Sequence, residues 1–167
     1  MSTAVRPARP GDAAAVAAVR AAAAATLTAQ AGGVAAGGEP GRADFEQLIE
    51  QHPGRVQVAE HDGTIIGYVA LRRAAHPAVA AGAALQLWQL YVAPAFHGRG
   101  VAAALMSAAL EEARRDRHDG VWLGVAPSNA RAVAFYRKQG FTALGLHEVG
   151  GAAGHAHQDL VMARALP

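Results

Sequence analysis

The segment Leu90–Ala102 constrains the fold of this chain more than any other stretch of its sequence. It reads Leu-Tyr-Val-Ala-Pro-Ala-Phe-His-Gly-Arg-Gly-Val-Ala, which predicts a strand, a short elbow, a glycine turn and then a helix. Such an order directs backbone N–H groups and the positive end of a helix dipole at one place. No Asp or Glu occurs from Gly98 to Leu110, although acidic residues are favoured in a first helical turn. The segment therefore predicts a binding site for an anion, and specifically for a phosphorylated ligand.

The patterns on either side of this segment predict an α/β protein. The expected elements are a strand at Thr3–Arg6, a helix from Asp12 (as N-cap) towards Thr26, a short helix at Asp44–Gln51, strands at Arg55–Glu60, Thr64–Arg72 and Leu85–Val92, a helix from Gly100 to Asp116 terminated by Gly120, a strand at Val121–Val125, a helix capped by Asn129 and closed by Gly140, and strands at Thr142–His147 and His157–Met162. Loops are expected at 31–41, 74–82 and 150–154. The order β-α-α-β-β-β-α-β-α-β-β predicts a single mixed sheet with helices on both faces, and 167 residues fit one domain spanning 1–167.

Composition narrows the possible functions. The chain has no cysteine, which excludes disulfides and thiolate chemistry and is compatible with the cytoplasm. We expect no membrane association, because the N-terminus lacks a signal-peptide pattern and the apolar run Ala13–Ala25 is too short to span a bilayer. The net charge of +2 comes from scattered residues, so nucleic-acid binding is not expected. The pair His155 and His157 has no evident third ligand, and no metal site is predicted.

The glycine turn also matches a different motif literally. Gly98-x-Gly100-x-x-Ala103 fits the dinucleotide-binding pattern G-x-G-x-x-G/A. That fold requires the glycines directly after the first strand and an acidic residue at the end of the next one. Here three strands precede the turn, and the strand Val121–Val125 is followed by Ala-Pro-Ser. A dinucleotide site is therefore disfavoured, and a Walker loop is excluded because no Lys-Ser/Thr follows the glycines.

Two segments in register resemble the GNAT superfamily of N-acetyltransferases. His97-Gly-Arg-Gly-Val-Ala102 is similar to the family's acyl-CoA signature Gln/Arg-x-x-Gly-x-Gly/Ala, and Asn129–Phe141 is similar to its downstream Asn-…-Phe-Tyr-x-x-x-Gly-Phe segment. The opening Arg6–Asp12, the pair Gly67-Tyr68 and the closing Leu160–Met162 also lie where members of that family place such residues. The resemblance implies a splayed sheet and acetyl-CoA as the cofactor.

The resemblance also implies roles for individual residues. Cofactor contacts are expected from Leu90, Tyr91, Val92, His97, Gly98, Arg99, Gly100, Val101, Ala102, Ala103, Asn129 and Tyr136. The N–H of Val92 would polarise the thioester carbonyl, and a fixed donor of this kind is worth about 3 kcal/mol in the transition state. Tyr136 would protonate the leaving thiolate, because a phenol with a pKa of about 10 is protonated at neutral pH. The alternatives are that Tyr136 only packs on its helix and that Asn129 is a plain N-cap.

The chain departs from the family's pattern at two positions. His97 stands where the signature has Gln or Arg, which is expected to modify cofactor affinity without abolishing it. Gln86 occupies the strand position where relatives often carry a Glu general base. A water chain, His76, His155 or His157 would have to replace that base, or the acceptor amine would need a low pKa.

The predicted function is acetyl transfer from acetyl-CoA to a primary amine, by direct attack in a ternary complex. Gln86 leaves a second possibility, a non-catalytic acyl-CoA-binding or regulatory module of the same fold. The acceptor, a small-molecule amine or a peptide or protein amine, is not identified by the sequence. Its possible ammonium partners are Glu39, Asp44, Glu46 and Glu148. An edge strand near the C-terminus makes a homodimer an expectation.

Overall fold

The computed structural model describes residues 2–27, 40–79, 85–149 and 157–167. The elements are β1 (Thr3–Pro7), α1 (Ala13–Leu27), α2 (Arg42–Gln51), β2 (Val56–His61), β3 (Thr64–Arg73), β4 (Leu85–Val92), α3 (Val101–Arg115), β5 (Gly120–Val125), α4 (Ala130–Lys138), β6 (Thr142–Val149) and β7 (His157–Ala165). Short 3₁₀ turns at Pro10–Asp12 and Pro94–Phe96 precede α1 and α3. The predicted order of helices and strands is confirmed. The predicted loops at 31–41, 74–82 and 150–154 lie wholly or partly outside the described residues.

The strands form one mixed sheet, as predicted. Its order is β1-β2-β3-β4-β5-β7-β6, with seven strands. β1–β2, β2–β3, β5–β7 and β6–β7 pair antiparallel, whereas β4 and β5 pair in parallel. The parallel ladder consists of Leu85↔Val121 and Gln86↔Trp122, at the start of β4.

The chain groups into two compact units. Of the described residues, the first contains 2–27, 40–71 and 88–112, and the second contains those within 72–87 and 113–167. The boundary falls within β4, between Leu87 and Trp88. The grouping does not test whether residues 1–167 fold as one domain, so one domain stays a prediction.

In the first unit, helices cover both faces of the strands. α1 and α2 contribute Val16, Val19, Phe45 and Ile49 to a core that also contains Val56, Val58 and Tyr68. On the opposite face, α3 approaches β3 at Gly67, where a Cβ atom would lie 3.2 Å from Leu105 Cδ1. Because Gly67 and Tyr68 are consecutive strand residues, they face opposite sides of the sheet.

In the second unit, β5 is buried almost throughout. Val121, Trp122, Leu123 and Val125 are buried, while Gly124 is exposed. The prediction of a strand buried on both faces is thus confirmed except at Gly124. Strand β6 is the edge of the sheet, and it carries the exposed side chains of Leu144 and Leu146.

Two predicted helix ends are wrong. Asp12 does not cap α1: it ends the preceding 3₁₀ turn, and its carboxylate accepts hydrogen bonds from the Arg9 N–H at 2.8 Å and the Arg6 guanidinium at 2.7 Å. Gly120 does not terminate α3, because it begins β5. Instead, Arg117 takes the left-handed conformation (φ 56°) after α3, and the His118 N–H bonds back to the Ala113 carbonyl.

None of the helices in the described ranges is long and apolar enough to cross a membrane.

Candidate active site

The predicted glycine turn is present between β4 and α3. Gly98 and Gly100 have φ values of 74° and 79°, in the left-handed region that residues with a Cβ rarely adopt. Apart from the glycine itself and its two neighbours in the chain, no described heavy atom lies within 4 Å of where a Cβ would stand on Gly98 or Gly100. The turn thus requires glycine for its backbone conformation, and it leaves open space in front of that backbone.

The first turn of α3 follows immediately. The Ala104 N–H donates to the Gly100 carbonyl at 3.0 Å, which is the first hydrogen bond of this helix. The N–H groups of residues 101–103 precede that bond, as the first donors of any helix do. The first turn of α3 contains no acidic residue. Its positive dipole end is therefore not neutralised from within the helix, as the sequence predicted.

His97 anchors the elbow before the turn. Its Nε2 lies 2.8 Å from the Val92 carbonyl oxygen, so this nitrogen carries a proton and donates. The next residue, Ala93, donates its N–H to the Ile66 carbonyl of β3 at 2.7 Å. Consecutive N–H groups of an extended chain point to opposite edges, so the Val92 N–H points away from β3. His97 thus bonds to the carbonyl of the residue whose N–H is predicted to polarise the thioester, and that carbonyl belongs to the peptide group that follows this N–H.

Arg99 rests on an aromatic side chain of the same turn. Its guanidinium carbon lies 5.4 Å from the centroid of the Phe96 ring, a cation–π distance. The Phe96 ring also contacts His61 of β2, at 5.1 Å between centroids. Arg99 is exposed, so its charge stays accessible beside the glycines.

An aromatic cluster on β4 was not predicted. The Tyr91 ring lies 5.8 Å from Tyr68, the Phe45 ring lies 5.3 Å from Tyr68, and the Trp88 ring lies 6.3 Å from Phe45. Trp88 and Tyr91 are three residues apart, and strict alternation would place them on opposite faces of the strand. Their contacts with one cluster therefore indicate an irregularity in β4 between these two residues. Leu90, between them, is half-buried.

Tyr68 and Gln89 form a buried polar pair within this cluster. The Tyr68 hydroxyl donates to Gln89 Oε1 at 2.5 Å, and burial raises the pKa of Tyr68. Gln89 Nε2 has no hydrogen-bond partner among the described residues. Gln89 alternates with Leu85 and Leu87, so alternation places it on the buried face of β4, but nothing in the sequence indicated Tyr68 as its partner.

Asn129 and Tyr136 belong to the second unit. Asn129 Oδ1 accepts from the Ala132 N–H at 3.1 Å, so its predicted role as the N-cap of α4 is confirmed. Tyr136 is half-buried and contacts the rings of Phe135 and Phe141. Gly140 (φ 83°) closes the helix, and the Phe141 N–H bonds to the Tyr136 carbonyl at 3.0 Å. The helix end thus holds the backbone of Tyr136 in place.

Gln86 is hydrogen-bonded within the second unit. Arg72 Nε donates to Gln86 Oε1 at 2.6 Å, and burial lowers the pKa of Arg72. In the parallel ladder, Gln86 lies opposite Trp122, whose indole N–H donates to the Ala74 carbonyl at 2.8 Å. A carboxamide in this arrangement has no proton-accepting role, as the sequence indicated.

His76 does not offer a free basic nitrogen in this structure. Its ring lies 5.0 Å from Trp122 and 4.8 Å from His147, and its Nδ1 accepts from the Ala78 N–H at 3.1 Å. Burial, together with the neighbouring His147, lowers the pKa of His76. The neutral ring therefore carries its proton on Nε2. Of the other histidines considered as bases, His155 and the side chain of His157 lie outside the described residues.

The structure distributes the predicted cofactor contacts over both units. Those of the first unit follow one another along β4, the turn and the start of α3, from Leu90 to Ala103; Asn129 and Tyr136 are in the second unit. Within the described parts of the chain, no group of three or more His, Cys, Asp or Glu residues is arranged to hold a metal ion.

Comparison with known proteins identifies the class. The sequence profile of the Acetyltransferase (GNAT) family matches residues 22–141. The chain belongs to this family. It is similar to an N-acetyltransferase of Mycobacterium tuberculosis (strain H37Rv), described as uncharacterized, with 38% identity over 124 residues that cover 74% of this chain and 75% of that protein.

Solved structures share the fold. Ard1 from Thermoplasma volcanium superposes with a TM-score of 0.77 at 21% identity, covering 100% of this chain and 99% of that one. The acetyltransferase yncA from Salmonella typhimurium, solved with acetyl-CoA, gives a TM-score of 0.77 at 21% identity and covers 100% and 95% of the two chains. The predicted fold class, a mixed open sheet flanked by helices as in GNAT proteins, is confirmed.

Proposed function

We propose that this protein transfers an acetyl group from acetyl-CoA to a primary amine, by direct attack within a ternary complex. The observation that carries the proposal is the turn at Gly98 and Gly100, with its left-handed backbone, its open surroundings and the acid-free start of α3. Membership of an acetyltransferase family supports acetyl transfer, and the similar yncA structure was solved with acetyl-CoA.

The turn supplies the pyrophosphate site. The N–H groups from Gly98 to Ala103 donate to the phosphate oxygens, and the dipole of α3 adds a favourable potential. The missing Cβ atoms of Gly98 and Gly100 let the phosphates approach the backbone closely. Arg99, held against Phe96, adds a positive charge at the edge of this site.

The elbow supplies the groups at the thioester. The backbone of Leu90, Tyr91 and Val92 takes the pantetheine arm as an added strand, and the Val92 N–H, which points away from β3, donates to the thioester oxygen. Negative charge grows on that oxygen during attack, so the donor stabilises the transition state more than the ground state. His97 restrains the backbone of Val92 through its bond to the Val92 carbonyl, in the peptide group next to the one that carries this N–H.

Tyr136 supplies the proton for the leaving group. The neutral amine nitrogen would form a bond to the acetyl carbon, the carbon–sulfur bond would break, and the phenol proton would pass to the thiolate of coenzyme A. The proton that the nitrogen loses on becoming an amide would return to the Tyr136 phenolate through solvent. The closing turn at Gly140 holds the Tyr136 backbone, which reduces the freedom of the phenol. Asn129 contributes both as the cap of α4 and as a contact to the cofactor amides.

A second candidate function is an acyl-CoA-binding module without catalysis. Its supporting observation is the bond between Arg72 and Gln86, which fills the usual base position with a neutral, already bonded amide. Two measurements separate the candidates. Calorimetry with acetyl-CoA tests binding, which both candidates require, and release of free thiol over a panel of primary amines tests transfer.

Acetyl-CoA binding with amine-dependent thiol release supports the enzyme. Binding without thiol release for any amine in a panel of alkylamines, polyamines, aromatic amines and N-terminal peptides supports the module. Absence of acetyl-CoA binding would contradict both.

We also propose that the protein forms a homodimer. The exposed side chains of Leu144 and Leu146 lie on the edge strand β6, where a second copy would cover them. Sedimentation of the wild type and of Leu146→Lys tests this: a dimer that the substitution weakens supports it, and a monomeric wild type contradicts it.

A further inference from the structure

A chain of four side chains leads from β1 to the glycine turn, entirely within the first unit. Thr3 of β1 and His61 of β2 are register partners, and Thr3 Oγ1 lies 3.0 Å from His61 Nδ1. The His61 ring contacts Phe96 at 5.1 Å between centroids, and the guanidinium carbon of Arg99 lies over the Phe96 ring at 5.4 Å from its centroid. Two rings thereby connect the edge of the sheet to the charged side chain of the turn.

The His61 ring is oriented by polar neighbours on both sides. Its Nε2 faces the Asp62 carboxylate at 3.5 Å, which favours a proton on this nitrogen and leaves Nδ1 to accept from the Thr3 hydroxyl. The ring is half-buried, so the surrounding strands also restrict it. Phe96 therefore packs against a ring whose rotation is restrained.

Phe96 is held through its backbone as well. It ends the short 3₁₀ turn before α3, in which the Phe96 N–H donates to the Ala93 carbonyl at 2.9 Å and the His97 N–H donates to the Pro94 carbonyl at 3.1 Å. Its ring is half-buried, so part of the ring surface stays open to solvent. The aromatic support beneath Arg99 is therefore fixed by both backbone and side-chain contacts.

The backbone around Arg99 forms a concave turn. Gly98 and Gly100 have positive φ, whereas Arg99 between them does not, so the sign of φ alternates along the three residues. Successive N–H groups in such turns converge on one point, and this arrangement binds anions. Arg99 is exposed, and no carboxylate of the described residues pairs with its guanidinium. Its charge is therefore uncompensated beside the place where the pyrophosphate is proposed to lie.

We infer that Phe96, supported by His61, is a positioning residue that presents the Arg99 guanidinium to the pyrophosphate of acetyl-CoA. The inference rests on the proposed cofactor site at the glycine turn. A guanidinium on a ring keeps its N–H donors, which lie in its own plane, available to phosphate oxygens. An exposed arginine without such support samples many rotamers and loses that freedom on binding. Holding it in place beforehand lowers this loss and so raises the affinity.

The test is a double-mutant cycle on Phe96 and Arg99, measured by calorimetry with coenzyme A at low ionic strength. We expect Arg99→Gln to weaken binding about tenfold, because it removes a charged donor to phosphate. Phe96→Leu should weaken binding about threefold, the effect of losing an exposed cation–π contact. In the Arg99→Gln background the Phe96→Leu change should have no further effect, since no guanidinium remains to be positioned.

A ligand without the 3′-phosphate identifies the phosphate that Arg99 meets. Dephospho-coenzyme A keeps the pyrophosphate, so each single variant should weaken its binding by the same factor as for coenzyme A. Added salt should reduce both factors, because an exposed charge is screened. Losses confined to coenzyme A would place Arg99 at the 3′-phosphate and overturn its assignment to the pyrophosphate.

Three further variants separate positioning from folding. Phe96→Tyr keeps a ring beneath the guanidinium and should retain the wild-type affinity. His61→Ala should show the pattern of Phe96→Leu with a smaller loss, and it takes the place of Phe96→Leu in the cycle if that variant does not fold. Arg73→Gln removes an exposed cation at the end of β3 and should bind coenzyme A as the wild type does. Circular dichroism and thermal unfolding verify that each variant is folded.

The outcomes separate this inference from the function on which it rests. A wild type that binds coenzyme A, together with a Phe96→Leu loss that is equal with and without Arg99, overturns the positioning role and leaves the cofactor site standing. Wild-type affinity in Phe96→Leu overturns the role as well. A wild type that does not bind coenzyme A overturns the proposed cofactor site itself, and the inference falls with it.

Discussion

At the scale of single residues, the bond from His97 to the Val92 carbonyl connects the elbow to the proposed catalytic donor. His97→Ala removes a hydrogen bond worth about 1 kcal/mol, so we expect a roughly fivefold weaker affinity for acetyl-CoA. Calorimetry measures this change. His97→Gln keeps a donor and should recover part of the affinity, and His52→Ala, at an exposed position after α2, is the matched control. Equal affinities for His97→Ala and wild type would remove His97 from the binding site.

Tyr136 is the residue on which the proposed proton transfer depends. Tyr136→Phe keeps the ring contacts with Phe135 and Phe141 but removes the acidic proton. General acid catalysis contributes about 10²-fold or more, so kcat should fall by roughly that factor while the KM for acetyl-CoA changes little. Steady-state kinetics at saturating amine measure both parameters.

Tyr68→Phe is the control for this change. It removes a buried hydroxyl and leaves Gln89 without its partner, so it should lower the free energy of unfolding by about 1–3 kcal/mol and leave kcat close to the wild-type value. If Tyr136→Phe retains full kcat, Tyr136 only packs on α4.

At the scale of elements, the turn before α3 requires glycine for two separate reasons, conformation and access. Gly98→Ala and Gly100→Ala each place a Cβ on a left-handed backbone, which costs about 1–2 kcal/mol, and each puts a methyl group where the phosphates are proposed to lie. We expect both variants to lower stability and to weaken acetyl-CoA binding at least tenfold. Urea unfolding and calorimetry measure the two effects.

Gly63 provides the matched control for this element. It has φ 78° and no heavy atom near its Cβ position, but it lies in the hairpin between β2 and β3. Gly63→Ala should therefore show the stability loss without the loss of affinity. If all three alanine variants bind acetyl-CoA equally, the turn is a connection and not a binding site.

The ends of elements show what local sequence determines and what it does not. Asn129 and Gly140 bound α4 as predicted, because a side-chain cap and a left-handed glycine act through contacts a few residues away. Asp12 is not the cap because a 3₁₀ turn at Pro10–Asp12 begins before it, and its carboxylate accepts from the Arg9 N–H and forms an ion pair with Arg6 of β1. Arg117 takes the left-handed conformation after α3 where a glycine was expected, and Ala113 and His118, which close this turn by a backbone hydrogen bond, are buried.

In the candidate site, too, the features that depend on neighbours in sequence were predictable, and the contacts between distant residues were not. The glycine turn and Asn129 are fixed by neighbours in sequence, and both were predicted. The pairing of Tyr68 with Gln89 and that of Arg72 with Gln86 join different strands, over separations of 21 and 14 residues in sequence. Such contacts depend on register and on which strands become neighbours, and a single sequence does not contain that information.

At the scale of the whole molecule, Arg6 joins β1 to the start of α1 and to β2. Its guanidinium bonds to Asp12 at 2.7 Å and to Glu60 at 2.7 Å. The bond to Arg6 lowers the pKa of Asp12 below its usual value of 3.8. Since the folded pKa is the lower one, this contribution to stability is complete above the unfolded pKa and is lost as the pH falls through the folded value.

The ion pair between Arg6 and Asp12 therefore predicts that the difference in free energy of unfolding between the wild type and Asp12→Asn depends on pH. The wild type should be the more stable at about pH 7, and its advantage in the free energy of unfolding should diminish as the pH falls below about 4. Urea unfolding at a series of pH values measures the difference. A constant difference over this range would show that the pair does not contribute through charge.

The central claim concerns the chain as a whole: a GNAT fold with this turn uses acetyl-CoA to acetylate a primary amine. The most direct measurement is mass spectrometry of a panel of primary amines after incubation with the protein and acetyl-CoA. We predict that at least one amine gains one acetyl group on nitrogen, with one free coenzyme A thiol formed for each acetylated product. Binding of acetyl-CoA with no acetylated amine in the whole panel would contradict the claim.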